Sequence, residues 1–325
     1  MKRFLLIQLF LLRLVLVHAQ DTFSIVAVDS ATGEVGSAGA TCLQAPNPPQ
    51  GALIISDVIP GVGAMHTQAL WRSFNQQTGH TYMSAVYMPE AIIYEVNLSD
   101  IDADSTIRQY GVAIFDANGR PHAAAYTGVN CFDYKGHNTG SYYAIQGNII
   151  TDHSLLDSME SRFLNTPGNL ADKLMAALQG ANIPGADTRC LPEGVPSQSA
   201  FLRVAKPTDH ADTLHLHLVV KSRPYGMSPI DSLQTLYDEW KSAQPNSINE
   251  TTEPVWKIFP NPASHNVRIQ QTGNSELLIR LTDITGRVII KKSCSGSCQL
   301  NLAGVQDGVY LVHAGSALRK LVVRR

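Results

Sequence analysis

From residue 22 onward, short apolar runs alternate with turn residues. Residues 22–28 are rich in β-branched and aromatic side chains, residues 29–33 have turn chemistry, and Glu34–Thr41 returns as a run of small residues. Two more strand pairs are predicted, one in residues 52–65 and one around a turn in residues 108–127. The pattern predicts a β-rich first half that begins with a hairpin at residue 22.

The spacing of an amphipathic helix appears in mid-chain and again near residue 230. Asn169 is placed to cap the start of one helix, and Gly180 to end it. Strands return at residues 199–204 and 213–220. The apolar positions with helical spacing are Leu155, Leu156, Met159 and Phe163, then Leu170, Leu174, Ala177 and Leu178, then Ile230, Leu233, Leu236, Tyr237 and Trp240. Separate runs of strands and helices predict a layered α+β fold.

A polar segment divides the chain. Residues 241–254 have almost nothing to bury, which predicts a linker. Residues 255–325 contain short β-rich runs without helical spacing, as in a small all-β sandwich. They carry ten basic and three acidic side chains, against 12 and 24 in residues 21–254. This charge asymmetry supports two domains with different tasks, at 21–240 and 255–325.

The N-terminal segment has the features of a secretory signal peptide. Lys2 and Arg3 precede an apolar core, and Val17 and Ala19 are small residues of the kind that a signal peptidase requires. We therefore expect residues 1–20 to be removed and the protein to be exported through the periplasm, to the cell surface or the medium. No later run approaches the roughly 18 apolar residues of a membrane span.

The chain contains five cysteines. An exported protein meets an oxidising compartment, which favours disulfides over metal-binding thiolates. Cys131 and Cys190 are the first choice for a bridge because both lie among loop residues, and Cys294 and Cys298 flank a short segment that can also close. Spacing alone does not determine the connectivity, and the odd number suggests one unpaired thiol.

The C-terminal segment carries a series of motifs. It contains WKIFPNPASHNVRI, LTDITGRVI, LAGVQDGVYLV and a final KLVVRR, in that order. The series resembles the C-terminal sorting domain of the type IX secretion system. The resemblance implies a β-sandwich that engages secretion machinery and routes its cargo through the outer membrane of Bacteroidetes-type bacteria. An ordinary adhesive sandwich is the alternative.

The larger domain carries a second series of motifs. It contains TFSIVAVDSATGEVGSAGATC, PGVGAMHTQA, RQYGVAIFDANGRPHAAAYTG and GHNTGSYYAIQGNII, in that order. The series resembles an uncharacterised bacterial family placed in the N-terminal nucleophile (Ntn) hydrolase superfamily. The resemblance implies an αββα four-layer sandwich, with helical layers around two stacked antiparallel sheets. It also implies a nucleophile at the first residue of the first strand, but it supplies no substrate.

Thr22 is the residue on which this chemistry depends. If Thr22 became the first residue, its hydroxyl would be the nucleophile and its own α-amine the base, since the ordinary pKa of such an amine is about 8. The hydroxyl would attack an amide carbonyl, and water would release the acyl group. We therefore expect an amidohydrolase that needs no cofactor and acts on an amide-containing small molecule, a peptide or a cell-wall fragment.

The sequence also places an obstacle before Thr22. Cleavage after Ala19 leaves Gln20 and Asp21 on the chain, so the amine of Thr22 stays in a peptide bond. Either a peptidase trims these residues, or Thr22 attacks the carbonyl of Asp21 and the chain cleaves itself. Without either event, Thr22 is an ordinary strand residue, and the protein is a catalytically inactive surface binding module.

Other residues are candidates for the same site. Gly147 and Asn148 are the predicted oxyanion donors, with a simple turn as the alternative. His66 and His137 fall in glycine-containing loops near the motifs and are candidates for the cleft lining, although most such histidines are structural. Asp29 follows the first strand, where it either orients the amine or starts the hairpin turn.

Several other functions are disfavoured. A net charge of -2 argues against a nucleic-acid binder with a basic surface. His215 and His217 share a strand face, but no third ligand is identifiable, so we expect no metal site. Ser197 and Ser199 lack the Gly-x-Ser-x-Gly pattern of a serine hydrolase. The oligomeric state, a homo-oligomer included, is left open.

Overall fold

The structure is a computed structural model that describes residues 22–244, 256–271, 276–314 and 317–325. The predicted signal peptide, Asp21 and residues 245–254 of the predicted linker lie outside the described residues. The chain divides into two compact units, Met1–Ala243 and Gln244–Arg325.

Strands and helices alternate in blocks along the first unit. Its strands are β1 (Thr22–Asp29), β2 (Glu34–Thr41), β3 (Ser56–Ile59), β4 (Gly63–Ala69), β5 (Arg108–Phe115), β6 (Pro121–Thr127), β7 (Gly136–Thr139), β8 (Tyr143–Gly147), β9 (Ser199–Ala205) and β10 (Leu216–Val220). Its helices are α1 (Ser73–Ser84), α2 (Pro89–Leu98), α3 (Ser154–Asn165), α4 (Leu170–Gly180) and α5 (Pro229–Ala243). The predicted hairpin at residue 22 is confirmed, because β1 and β2 pair antiparallel with Thr22 opposite Thr41.

The strands of the first unit form two antiparallel sheets. A six-stranded sheet has the order β10-β9-β2-β1-β8-β7, so β1 lies between β2 and β8 in its interior. A four-stranded sheet has the order β3-β4-β5-β6. The chain therefore enters the described structure through an interior strand, which is buried along nearly its whole length.

Side-chain alternation along β1 separates two cores. Phe23 and Ile25 lie in a core shared with α3, α4 and α5. Val26 points the opposite way, into a core with Ala64 and Ala113 of the four-stranded sheet. A third core joins β4 and β5 of that sheet to α1 and α2. The layers of the first unit are therefore helices, six-stranded sheet, four-stranded sheet and helices.

Local signals explain where α4 begins and what it buries. The side chain of Asn169 accepts a hydrogen bond from the backbone N–H of Asp172 at 3.0 Å, and the Asp172 carboxylate accepts one from the N–H of Asn169 at 3.2 Å. This capping box satisfies N–H groups that the first helical turn leaves without partners. Leu170 and Leu174 face the core. The predicted cap and apolar face of this helix are confirmed.

The first unit departs from the sequence prediction in several places. Helices α1 and α2 are additional, and α1 buries Asn75 and Gly79 beside Met83, so its inward face has no clear apolar period. Residues 52–55, predicted as part of a strand, lie instead in a 3-10 turn, Gly51–Ile55. Helix α5 continues to Ala243, inside the predicted linker.

The second unit is all-β within the described residues. Its strands are β11 (Trp256–Phe259), β12 (Asn266–Gln271), β13 (Glu276–Asp283), β14 (Val288–Ser295), β15 (Ser297–Asn301), β16 (Gly308–Ala314) and β17 (Ala317–Val323). They form a three-stranded sheet, β11-β12-β15, and a four-stranded sheet, β14-β13-β16-β17. Residues of both sheets, Val267 and Leu281 among them, share one core. Cys294 and Cys298 form a disulfide, as proposed from the sequence.

A glycine on β5 gives a test of how the two sheets of the first unit fit together. A Cβ atom at Gly111 would lie 2.0 Å from Oε1 of Gln146, a side chain that crosses between the sheets. We expect Gly111→Ala to lower the free energy of unfolding by about 1–3 kcal/mol, because the added methyl group forces Gln146 out of place. Urea unfolding measures this loss. Gly308→Ala is the control, since its nearest neighbour would be 3.5 Å away; equal losses in both variants would contradict the prediction.

Candidate active site

Thr22 begins the interior strand β1 and is buried, with 1% of its surface exposed in the unprocessed chain. It lies opposite Thr41 of β2. On its other side, the backbone N–H of Asn148, just after β8, donates a hydrogen bond to the Thr22 carbonyl at 3.1 Å. Because Phe23 points to the helices, the side chain of Thr22 faces the four-stranded sheet. The candidate nucleophile therefore lies between the two sheets.

Two glutamines of the four-stranded sheet lie there, and one of them, Gln68, contacts Thr22. Gln68 of β4 donates from Nε2 to the Thr22 carbonyl at 3.1 Å and to Oε1 of Gln109 at 2.7 Å. Gln109 of β5 donates from Nε2 to the carbonyl oxygens of Gly136, at 3.0 Å, and Gly147, at 2.9 Å. Backbone carbonyls only accept, so these contacts fix which end of each amide is nitrogen.

The same contacts determine the orientation of Asn148. Oε1 of Gln109 is an acceptor, so the atom of Asn148 that lies 2.9 Å from it is the donor Nδ2. The backbone N–H of Asn148 is then engaged by Thr22, and one of the two N–H groups of its amide by Gln109. Its Oδ1 is buried and has no hydrogen-bond donor. Asn148 thus offers an unused acceptor beside Thr22.

The polar network continues along the face of the six-stranded sheet. Ser24 donates to Oε1 of Gln68 at 2.6 Å and accepts from Nε2 of Gln146 at 2.6 Å. Gln146 lies 3.2 Å from Nδ1 of His66, whose Nε2 lies 2.8 Å from Ser37 Oγ. Since Gln146 donates, Nδ1 of His66 accepts and its Nε2 carries the proton. The network therefore assigns the tautomer of a fully buried histidine.

His66 is neutral in this environment. Burial, and then the positive charge of Arg203, lower the pKa of His66 to about 3. A neutral imidazole with both nitrogens hydrogen-bonded is consistent with a structural role in holding the sheets together. In the hydrogen-bond network, three side chains separate His66 from Thr22: Gln146, Ser24 and Gln68.

Two residues beside the site have unusual backbone geometry. Ala69 follows Gln68 with φ of 67°, and Ile149 follows Asn148 with φ of 51°. A positive φ is disfavoured for side chains with a Cβ, most of all for a β-branched residue such as isoleucine. Such strain persists where the surrounding structure over-determines it and concentrates at functional sites. Here the strained residues directly follow Gln68 and Asn148, the two residues that donate hydrogen bonds to the Thr22 carbonyl.

A charged pair lies on the β2 side of Thr22, across from Asn148. Arg189 donates from Nε and Nη2 to the carboxylate of Asp187, at 3.0 Å and 2.7 Å. Its Nη2 also donates to Oγ1 of Thr41, the cross-strand neighbour of Thr22, at 3.3 Å. Asp187 is fully buried and accepts from the backbone N–H of Cys42 at 2.8 Å. The guanidinium is therefore fixed next to the candidate nucleophile.

A disulfide between Cys42 and Cys190 ties this pair to β2. The predicted Cys131–Cys190 bridge is wrong. Cys131 is buried at the end of the four-stranded sheet, where its thiol donates to the Arg108 carbonyl at 3.2 Å. The turn that carries Cys190 instead crosses the end of β2, which depends on long-range folding that sequence spacing does not encode.

The remaining predicted residues lie at different distances from Thr22. Gly147 is opposite Phe23, and its carbonyl accepts from Gln109. His137 of β7 is exposed and contacts Thr127 Oγ1 at 2.8 Å, which in turn accepts from Gln109. The roles predicted for Gly147, Asn148 and His137 stay predictions.

The structure does not bring Asp29 to Thr22. The two residues occupy opposite ends of β1, about 23 Å apart for an extended strand of this length. The Asp29 carboxylate accepts from the backbone N–H of Ala31 at 3.0 Å and from the hydroxyl of Thr32 at 2.9 Å. It therefore holds the hairpin turn, the second of the two roles that the sequence left open.

Four residues of the site are absent from the sequence prediction: Gln68, Gln109, Asp187 and Arg189. The glutamines had a usable signal, because each interrupts a strand of mostly apolar residues, and buried polar side chains need hydrogen-bond partners. Asp187 and Arg189 lie in a turn whose position depends on the disulfide, and no local pattern marks them. Among the described residues, no group of three His, Cys, Asp or Glu side chains could hold a metal ion.

Comparison with known families identifies the family of the larger unit. Residues 22–230 match DUF1028, a family of unknown function, over more than half of the chain. The chain belongs to the DUF1028 family. A crystal structure of a DUF1028 protein from Silicibacter pomeroyi is 25% identical in sequence, with a TM-score of 0.53, and the similarity covers 70% of this chain and 91% of that one. No curated protein matches.

The smaller unit of this DUF1028 protein has its own match. Residues 257–324 match a secretion system C-terminal sorting domain. The predicted type IX sorting domain is confirmed, and with it an interaction with secretion machinery. The protein is secreted or displayed at the cell surface. In the part of the chain that the structure describes, no helix has the length and apolar character needed to cross a membrane.

The Cys42–Cys190 bridge gives a stability test for the site. We expect Cys42→Ala combined with Cys190→Ala to lower the free energy of unfolding of the first unit by about 2–5 kcal/mol, because the bridge closes a long loop in the unfolded chain. Their separation is 148 residues, against four for Cys294 and Cys298. Denaturant unfolding in oxidising buffer measures the loss. Replacement of Cys294 and Cys298 is the control, and an unchanged first unit in the Cys42 and Cys190 variant would contradict the prediction.

The lowered pKa of His66 makes stability depend on pH. The unfolded state takes up a proton below its ordinary pKa of about 6.5, whereas the folded state does not until about 3. We therefore expect His66 to reduce the free energy of unfolding as the pH falls through this window. In His66→Gln the decline should be shallower than in the wild type, whereas His210→Gln, at an exposed position, should leave it unchanged. Denaturant unfolding at several pH values makes the comparison, and identical slopes for all three proteins would contradict it.

Proposed function

We propose that this DUF1028 protein is an exported amidohydrolase of the Ntn type, with Thr22 as an N-terminal nucleophile exposed by processing. The observation that carries the proposal is the position of Thr22. It begins an interior strand, and its side chain faces a buried network of amide groups between two sheets. An ordinary strand-opening threonine needs no such network around it.

The layer order supports the same proposal. Helices cover both outer faces of two stacked antiparallel sheets, which is the arrangement expected of an Ntn hydrolase. The similar fold from Silicibacter pomeroyi shares the family but brings no activity with it. Fold alone does not determine function, so the chemistry of the site must carry the argument.

The proposed reaction proceeds in two steps. The Thr22 hydroxyl adds to the amide carbonyl of the substrate, its proton passes to the α-amine, and the amine delivers a proton to the departing nitrogen. The C–N bond breaks and an ester to Thr22 Oγ1 remains. Water then adds to the ester, and the acid leaves as the threonine hydroxyl is restored. No cofactor enters either step.

Asn148 fits the role of acceptor for the α-amine. Once the bond to Asp21 is cut, the amine of Thr22 is a donor in a buried site, and it becomes charged when it takes the hydroxyl proton, so it needs hydrogen-bond acceptors. Asn148 is the cross-strand neighbour of Thr22, at a typical Cβ separation of about 5 Å, and its buried Oδ1 lacks a donor. We assign it this positioning role in preference to oxyanion stabilisation, because its acceptor is the atom that lacks a partner, whereas its backbone N–H and one N–H of its amide are engaged.

Burial of Thr22 in the unprocessed chain also fits the proposal. With 1% of its surface exposed, the residue is closed to substrate before processing. Cleavage before Thr22 would free the amine that the mechanism requires. The protein would then be inactive inside the cell and active after export, which suits an amidohydrolase that must spare its host.

The mature N-terminus and Thr22→Ala test the proposal together. We expect active secreted protein to begin at Thr22 by intact-mass measurement, and Thr22→Ala to lose hydrolysis of a panel of amides because the nucleophile is gone. Thr22→Ser should retain part of the activity, since a hydroxyl remains. If the chain cleaves itself, purified Thr22→Ala should also stay unprocessed.

Thr81→Ala is the matched control, because Thr81 is exposed on α1 away from the site. It should be processed and active like the wild type. Full activity in a protein that begins at Gln20 or Asp21 would refute the mechanism. Processed wild-type protein that hydrolyses none of the amides would favour the alternative of a surface binding module.

A further inference from the structure

The charged pair Asp187 and Arg189 lies outside the reaction steps above but close to where they occur. A guanidinium held by a buried carboxylate is a costly feature, and burial of the pair does not by itself stabilise a fold. Such planar, preorganised groups are well suited to bind carboxylates. Its position beside the nucleophile raises the question of which acidic group it meets.

The strand register places Arg189 beside the cross-strand neighbour of Thr22. Thr41 is directly opposite Thr22 in the β1–β2 pair, and Arg189 Nη2 is 3.3 Å from its hydroxyl. Cross-strand neighbours have Cβ atoms about 5 Å apart. A group bonded to the amine or the hydroxyl of Thr22 therefore lies within reach of the guanidinium.

Three constraints keep the guanidinium in place. Asp187 binds it through two N–H groups, and the same carboxylate is anchored by the backbone N–H of Cys42. The Cys42–Cys190 disulfide joins the residue after Thr41 to the residue after Arg189. A cation fixed this firmly loses little freedom on binding, which favours selective recognition.

The sequence supplies the acidic group. Asp21 precedes Thr22, so the bond that must open to free the amine has an aspartyl carbonyl as its acyl side. If Thr22 cleaves this bond, the nucleophile acts on an aspartyl group before it acts on any other substrate. The surroundings that accept the first acyl group then remain to accept later ones.

We propose that Arg189, oriented by Asp187, forms an acyl-group subsite for a carboxylate, so that the enzyme prefers amides of aspartate-like acids. The inference rests on the proposed function and names its substrate class. The bond broken is the amide of the aspartyl carbonyl, with release of an amine, and hydrolysis of the Thr22 ester then releases the aspartyl acid.

Binding tests the subsite without turnover. The chain that begins at residue 22 and carries Thr22→Ala is titrated by calorimetry with N-acetyl-L-aspartate and with N-acetyl-L-asparagine, which differ only in the side-chain carboxylate. We expect N-acetyl-L-aspartate to bind about tenfold more tightly or better, because the side-chain amide of N-acetyl-L-asparagine cannot make the charge-assisted contact with the guanidinium. Arg189→Gln should abolish this preference, and Arg189→Lys should retain part of it.

Arg120→Gln is the control, since Arg120 is exposed in the turn between β5 and β6. It should keep the full preference. Equal affinity for the two compounds, or a preference that survives Arg189→Gln, would overturn the inference. Lysine provides the second variant in case the glutamine variant fails to fold.

Turnover separates this inference from the proposed function. With Thr22 intact, anilides of aspartate, asparagine and alanine are compared, and Arg189→Gln should raise KM for the aspartyl compound alone. Cleavage of all three anilides without preference would leave the hydrolase and remove the subsite. Arg189-dependent binding of N-acetyl-L-aspartate without cleavage of any anilide would leave the subsite and remove the hydrolase.

Discussion

The carbonyl oxygen of Thr22 determines how the buried polar side chains of the first unit are oriented. It is buried between the sheets and accepts hydrogen bonds from both the Asn148 backbone and the Gln68 side chain. Because a carbonyl only accepts, Gln68 must turn its nitrogen to it, and the oxygen of Gln68 must then accept from Ser24. Along the hydrogen bonds from Gln68 through Ser24 and Gln146, each donor or acceptor fixes the orientation of the next side chain. The last group that is fixed in this way is the tautomer of His66. One backbone atom thereby orients the polar interior.

This polar interior joins the two sheets at a higher cost in free energy than an apolar interface would. Buried amides gain little when they are paired and cost about 1–3 kcal/mol when they are not, and apolar side chains would fill the same space more cheaply. Two acceptors, on Gln146 and Asn148, do lack donors, and Ala69 and Ile149 are strained. Departures of this kind cluster at functional sites, so their position near the start of β1 supports the proposed function.

The fold was predictable where local patterns were strong. The β1–β2 hairpin and the capped helix α4 follow from turn and capping residues, whose effects act within a few positions. Helix α1 was not, because its inward face includes Asn75 and Gly79 and lacks an apolar period. Within the site, Thr22 could be chosen from motif and position. Arg189 could not, since a disulfide between residues 148 positions apart places it there.

The geometry of the site depends on export through that disulfide. Cys42 and Cys190 adjoin the two residues in hydrogen-bond contact, Thr41 and Arg189, so the bridge closes the edge of the site directly. Reducing conditions in the cytoplasm disfavour such a bond, whereas the compartments beyond the inner membrane favour it. Export therefore does more than deliver the protein. It takes the chain to the conditions under which the guanidinium beside Thr22 becomes fixed.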